Sequence, residues 1–353
     1  MKGIIEICGV EYEYNFIASW IKYIRIKKGY SQEYVSHGIC SVSHLSYFEN
    51  GKKTLRKDVI EFKVYELVYR VFVKNEKYDV LKEDVDILDK IYDSFDDDLK
   101  YMYLFISGVI LEKNHDNDAG IKRMEEALKV KSTSWLNYAI GKCLCFNNNP
   151  GRGSYYLEKA LESYESSGRY LNAIWCHNYL GICFSYLGMY ESSEKHFMAG
   201  IMSAQHFNVD KLMLHLHNNL SDLYFNKGDF KESIKWSRKA MADPYQNLLP
   251  VYNYIMACMK LNRIKECEKM FKIYLADEYK SSRYYLSIYF LKLIIYNFDD
   301  DIFYEEVKNK ILPYYEEINK TDMIRDIKIK LTEYFEKKRK YKEANKIYKE
   351  LIN

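Results

Sequence analysis

The feature that most constrains this chain is a repeat. "NYLGICFSYLGMYESSEKHFMAGI" (178–201) and "NNLSDLYFNKGDFKESIKWSRKAM" (218–241) align at an offset of 40. The offset pairs Leu180 with Leu220, Phe184 with Tyr224, Gly188 with Gly228, Tyr190 with Phe230 and Ser193 with Ser233. A further offset of 34 reaches "YIMACMKLNRIKECEKMFKIYL", with Cys267 and Phe271 at the small and aromatic positions. Upstream, Gly141 with Ala160 and Gly108 with Ala127 share one 19-residue spacing, and the tail carries Tyr341, Ala344 and Tyr348 in the same arrangement. Self-similarity at this period is the signature of a solenoid, because a single helix–turn–helix unit cannot bury its apolar face alone. Small residues are expected where the two helices of a unit cross closely. About seven units can be counted, the first and sixth weak.

Punctuation agrees. Only 4 prolines and 15 glycines interrupt 353 residues, too few for the frequent turns a sheet needs, so the expected class is all-α. Eight cysteines are scattered through apolar faces without a paired CxxC set, so neither a disulfide nor a metal site is expected. No apolar run reaches the roughly 18 residues of a membrane span. The start, "MKGIIEICGVEYEYNF", carries three glutamates and one lysine, unlike a secretory leader. The expectation is a cytoplasmic protein with no membrane partner.

Charge is divided unevenly. Residues 16–57 hold eight Lys/Arg against two acids, a local +6, so the rest of a +3 chain carries −3. A basic module on a mildly acidic body is the footprint of a nucleic-acid binder with a separate sensing part. In that module Ile17, Trp20, Ile21 and Ile24 recur at helical spacing and Gly29 closes the helix. Ser31 can cap a short second helix and Ser41 a third, whose Val42, Leu45 and Phe48 face inward before Gly51 stops it. If the pair reads DNA, the third helix enters the major groove with Ser41, Ser43, His44 and, a turn later, Ser46 and Tyr47 outward. Gln32, Lys52 and Lys53 are then placed for the phosphate backbone. An ordinary helical hairpin with a polar surface has the same pattern.

A resemblance decides between them. "GYSQEYVSHGICSVSHLSYFENGK" (29–52) resembles the helix-turn-helix of the Xre/Cro-like repressors at Gly29, Ser31, Gln32, Glu33, Leu45, Glu49, Gly51 and Lys52. Its short "ICS" turn is similar to that of the peptide-pheromone regulators of low-GC Gram-positive bacteria. The repeats in turn resemble tetratricopeptide repeats. That likeness implies a right-handed superhelix whose first helices line a concave face, here bearing Tyr138, Trp175, Asn178, Ile182, His215, Asn218, Asp222, Phe225 and Tyr252. Asn178 and Asn218 hold one position in adjacent repeats, and Asn137, Asn219 and Asn253 lie within a residue of it. A row of amides, each with a donor and an acceptor, can pair with an extended peptide backbone.

Enzymatic signatures are missing: there is no phosphate loop, nucleophile elbow, HExxH or paired-carboxylate motif. His215 and His217 diverge on a helix, and "DDD" at 96–98 and 299–301 reads as helix starts or solvated turns. No catalytic residue and no cofactor is expected. The expected domains are a helix-turn-helix domain at 1–75, a linker helix or worn repeat at 76–100, and a peptide-binding, dimerising repeat domain at 101–353. The combination resembles the RRNPP group of peptide-responsive regulators, which implies a homodimer on double-stranded operator DNA, switched by a short signalling peptide held by residues such as those above and Asn253. Two alternatives share the architecture: a repeat protein gripping a response regulator, as Rap-like members do, and a phage regulator of lysis or lysogeny.

Overall fold

The structure, a computed structural model, describes residues 5–7, 10–12, 64, 67, 70, 71, 78–89, 92–114, 116–242, 248–282 and 284–352. A small antiparallel hairpin, β1 (Ile5–Ile7) with β2 (Val10–Tyr12), pairs Ile5 with Tyr12 and Ile7 with Val10. The remaining described elements are helical, and the all-α expectation holds with that one addition. They are α1 (Tyr78–Asp89), α2 (Asp97–Lys113), α3 (Asn117–Val130), α4 (Ser134–Phe146), α5 (Pro150–Ser166), α6 (Tyr170–Tyr186) and α7 (Tyr190–His206). Next come α8 (Asp210–Asn226), α9 (Phe230–Ala240), α10 (Leu249–Lys260), α11 (Ile264–Tyr274) and α12 (Tyr285–Tyr296). The chain closes with α13 (Asp301–Glu306), α14 (Leu312–Glu317), α15 (Thr321–Lys337) and α16 (Tyr341–Ile352). It divides into two compact units, Met1–His196 and Phe197–Asn353, the division falling within α7.

In five helix pairs the crossing is made by two residues 12 apart, a tighter relation than the 19-residue spacing. In the first unit these are Gly108/Gly120 and Gly141/Gly153, where a Cβ on Gly120 would lie 2.7 Å from the Gly108 carbonyl oxygen. At Gly181/Ser193 the Ser193 hydroxyl donates to the Gly181 carbonyl at 2.7 Å. In the second unit Ser221 donates to the Ser233 carbonyl at 3.0 Å, and the Cys267 thiol contacts the Ile255 carbonyl at 3.8 Å. A hydroxyl or thiol thus substitutes for glycine by bonding the backbone it touches.

Turns recur on a shorter period. Asn148, Gly168, Gly188, Asn208 and Gly228, spaced by 20, all have positive φ, as do Asn262, Asn319 and Arg339. Each ends a helix, and the residue after it donates five back, as Met189 N–H does to Phe184 at 2.9 Å and Asp229 N–H to Tyr224 at 2.9 Å. That is a Schellman closure, and Gly and Asn pay least for the left-handed residue it needs. Helix starts are capped too: Asp96 accepts from Leu99 N–H, Thr133 from Leu136 N–H and Asp229 from Glu232 N–H. The first "DDD" is therefore a helix start.

The core of the first unit runs without a break from Val64, Leu67 and Val71 through α1 to Ile140 and Leu144. Arg123 on α3 clamps Asp89 on α1 with two hydrogen bonds (2.7 and 2.5 Å), and Tyr103 on α2 donates to the same carboxylate at 2.6 Å. Burial works to raise the Asp89 pKa, but these bonds outweigh it and hold the carboxyl below its usual range. The same Arg–Tyr–carboxylate staple recurs with Arg152, Tyr156 and Glu125, and, in the second unit, with Arg238, Tyr254 and Glu266.

Apolar clusters pack the described residues of the second unit. One surrounds Ile255, Cys258, Cys267 and Ile288, another Phe303, Val307, Ile311, Ile327 and Tyr334. Between α13 and α14 residues Val307–Ile311 form a π-helical turn directly before Leu312 and Pro313. Proline lacks the N–H and its ring crowds the carbonyl four residues back, so the wider turn relieves a conflict inside a continuous helix. This interruption is why the sixth repeat reads as weak.

Two histidines packed between helices, His217 buried and His196 half-buried, give the fold an acid sensitivity. His196 is pushed down to about 4 by burial, with His177 (Nδ1 to Nδ1 3.1 Å) and Lys195 adding to it. His217, against Trp236, is pushed down to about 4 by burial and then by Lys239. The unfolded chain binds these protons near 6.5 and the folded one only near 4, so stability is full above 6.5 and falls with pH through that window. Each histidine should cost about 1–2 kcal/mol between pH 7 and 5. Urea midpoints at the two pH values check this, and His217→Phe should remove its share of the loss. Equal midpoints would contradict it.

Candidate functional site

Each first helix of a pair carries the predicted positions on one side, because 3- and 4-residue steps stay on one side of a helix. On α4 that face carries Tyr138 and Lys142, on α6 Trp175, Asn178 and Ile182, on α8 His215, Asn218, Asp222 and Phe225, and on α10 Tyr252. The 40-residue register makes Tyr138, Asn178 and Asn218 equivalent, and likewise Lys142, Ile182 and Asp222.

In the first unit this face is aromatic. Tyr179 is its hub: Trp175 stacks on it (6.1 Å between ring centroids, 24°), while Tyr138 (5.7 Å) and Phe146 (6.0 Å) meet it edge-on. Lys142 Nζ stands 5.8 Å from the Tyr179 centroid. Burial pushes the Tyr138 phenol far up, and its hydrogen bond with Tyr179 contributes. Asn178 is buried and already engaged within the fold. Asn137, one residue off the register, turns inward to donate to the Thr133 carbonyl at 3.1 Å.

In the second unit the face is polar and acidic. Asn253 on α10 donates its amide to the Asn218 carbonyl oxygen at 3.3 Å, so α8 and α10 are joined through the two predicted amides. Among the described residues that bond leaves the Asn218 NH2 and the Asn253 carbonyl oxygen for a third group, one donor beside one acceptor. Asp222, a turn along α8, is exposed, and partial desolvation by the surrounding protein still holds its pKa above the usual carboxylate range. Tyr252 is pushed well up by burial, then by Asp326, Tyr315, Asp222 and Tyr284, so its phenol remains a donor. His215 is exposed at one end of the face and engaged within the fold.

The structure therefore brings Asn218, Asn253, Asp222 and Tyr252 together in one unit, and Tyr138 with Trp175 in the other. It adds residues the sequence reading does not single out. Lys142 was accessible from the register, since it precedes Ile182 and Asp222 at the same position. Tyr179, Phe146 and, on α15, Asp326 carry no such signal, because tertiary packing alone places them. Among the described residues no three His, Cys, Asp or Glu side chains converge as a metal site would require, and no helix is long and apolar enough to cross a membrane. The predicted DNA contacts Gln32, Ser41, Ser43, His44, Tyr47, Lys52 and Lys53 lie outside the described residues.

Comparison with known proteins covers both ends. Residues 21–61, which include every one of those DNA contacts, match the helix-turn-helix family HTH_3. The chain is 24% identical to the transcriptional activator NprA of Geobacillus stearothermophilus, over 74% of this chain and 70% of that protein. It is 24% identical to the regulatory protein RapD of Bacillus subtilis, over 78% of this chain and 83% of that one. Its fold is that of the quorum sensor NprR from B. thuringiensis in the apo form, with a TM-score of 0.69 at 16% identity over 96% of both chains. NprR solved with its cognate peptide NprX gives 0.57 at 19% identity, over 88% of this chain and 92% of that one. The all-α architecture of a helix-turn-helix region followed by a tetratricopeptide-like solenoid, and the resemblance to the RRNPP regulators, are borne out.

Proposed function

We propose that this chain is a cytoplasmic transcription regulator that binds double-stranded operator DNA as a homodimer and is switched by a short signalling peptide bound to its repeats. The reading assigns DNA binding to residues 1–75, a connecting segment to 76–100, and peptide binding and dimerisation to 101–353. The observation that carries it is the pairing, on one chain, of a helix-turn-helix match over 21–61 with repeats that offer a paired donor and acceptor at Asn218 and Asn253. An extended peptide presents a carbonyl and an N–H at each residue, the complement of that pair. NprR, whose fold this chain shares, was solved with its own peptide. The likeness to RapD favours a second reading, in which the repeats grip a protein partner. The helix-turn-helix match speaks for the first.

The test is coupling. Peptides retained by the full-length protein from a random heptapeptide pool should change its affinity for a selected duplex by about 5- to 150-fold. The Asn218→Ala, Asn253→Ala variant should need far more peptide for that change while its peptide-free DNA binding stays as in the wild type. A variant indistinguishable from wild type in the peptide titration would move the site elsewhere.

A further inference from the structure

We propose that the face formed by α4 and α6 binds the carboxyl-terminal end of the peptide, Lys142 pairing with its terminal carboxylate while the rings around Tyr179 receive its last side chain. The inference rests on the peptide-binding reading and assigns a chemistry to one part of it. Four aromatic rings converge here, and two of them present surface to solvent, Phe146 at 56% and Trp175 at 36% exposure. Exposed aromatic surface of this kind is where a ligand's apolar group gains most from leaving water.

Lys142 gives the patch its polarity. Its ammonium lies beside Tyr179, and among the described residues it forms no ion pair, while the neighbouring Glu112 is paired with Lys113 at 3.0 Å. A lone cation at the edge of an apolar patch fits an anion carried on an apolar group. A peptide terminus meets that demand directly, because its carboxylate and last side chain branch from one carbon. An internal Asp or Glu would also bring a carboxylate, but its own backbone would take the place of the apolar group. The same register position is Ile182 in the next repeat and Asp222 in the one after, so its charge is set repeat by repeat. Ligand polarity can therefore be written at this one position.

The experiment uses the full-length protein and two random heptapeptide pools, one with free and one with amidated carboxyl termini. Peptides retained from the free-acid pool are resynthesised in both forms and titrated against wild type, Lys142→Met and Lys142→Arg. Amidation should weaken binding to the wild type by about tenfold, the scale of one charge-assisted hydrogen bond. It should cost Lys142→Met little, and Lys142→Arg should restore the discrimination. Equal binding of both forms to the wild type overturns the inference and leaves peptide binding standing, as does an amidation penalty that persists in Lys142→Met. Retention of neither pool overturns both.

Discussion

Gly141→Val should destabilise the protein by about 3 kcal/mol, the upper range for overpacking a closed contact. A Cβ at Gly141 would stand 2.7 Å from Leu157 Cγ, 2.9 Å from the Gly153 carbonyl oxygen and 3.0 Å from the Leu157 backbone nitrogen. The leucine can rotate, but the backbone atoms of α5 cannot give way without opening the α4–α5 crossing. Gly151→Val, on the same α5 helix, is the control, because nothing lies within 4 Å of a Cβ there. Removing a glycine from a helix even favours the folded state slightly at such an open site. Urea unfolding should show the loss in one variant and not in the other. Equal midpoints would mean that the crossing is looser than the structure has it.

Replacing Ser43 and His44 together by alanine should remove sequence preference from DNA binding. Each well-placed base contact contributes about 1–3 kcal/mol of discrimination. A duplex enriched by wild type from a random pool should therefore lose roughly a hundredfold or more in the variant. Binding to unrelated duplex should persist and fall with salt, because Lys52 and Lys53 remain to displace counterions from the phosphates. If the variant still preferred the enriched sequence, base reading would lie in other side chains of the 21–61 match.

Much of this was legible in the sequence, and the limits are physical. The 40-residue register between 178–201 and 218–241 could be read because glycine and aromatic positions coincide. The 12-residue crossing pair could not, since Gly108/Gly120 becomes Ser221/Ser233 and then Ile255/Cys267. A serine that bonds a carbonyl does a glycine's work without resembling it. Turns at Asn148 and Asn208 were hidden likewise, as asparagine adopts the left-handed conformation yet is common elsewhere. Asn178 and Asn218 look equivalent in the register, but the first is buried and already engaged while the second pairs with Asn253. The ring cluster at Tyr179 and the closeness of Asp326 to Tyr252 depend on helices that meet only in the folded chain. The hairpin at 5–12 is too short for periodicity to mark.

The central claim is that one chain couples a peptide site to a DNA site, and duplex affinity with and without peptide measures that directly. A duplex enriched by the full-length protein is titrated in the absence of peptide and at saturation with a peptide retained from the heptapeptide pool. The account predicts two dissociation constants at least fivefold apart, and a reciprocal shift of the same factor in peptide affinity when duplex is saturating. Identical constants at full peptide occupancy would contradict it.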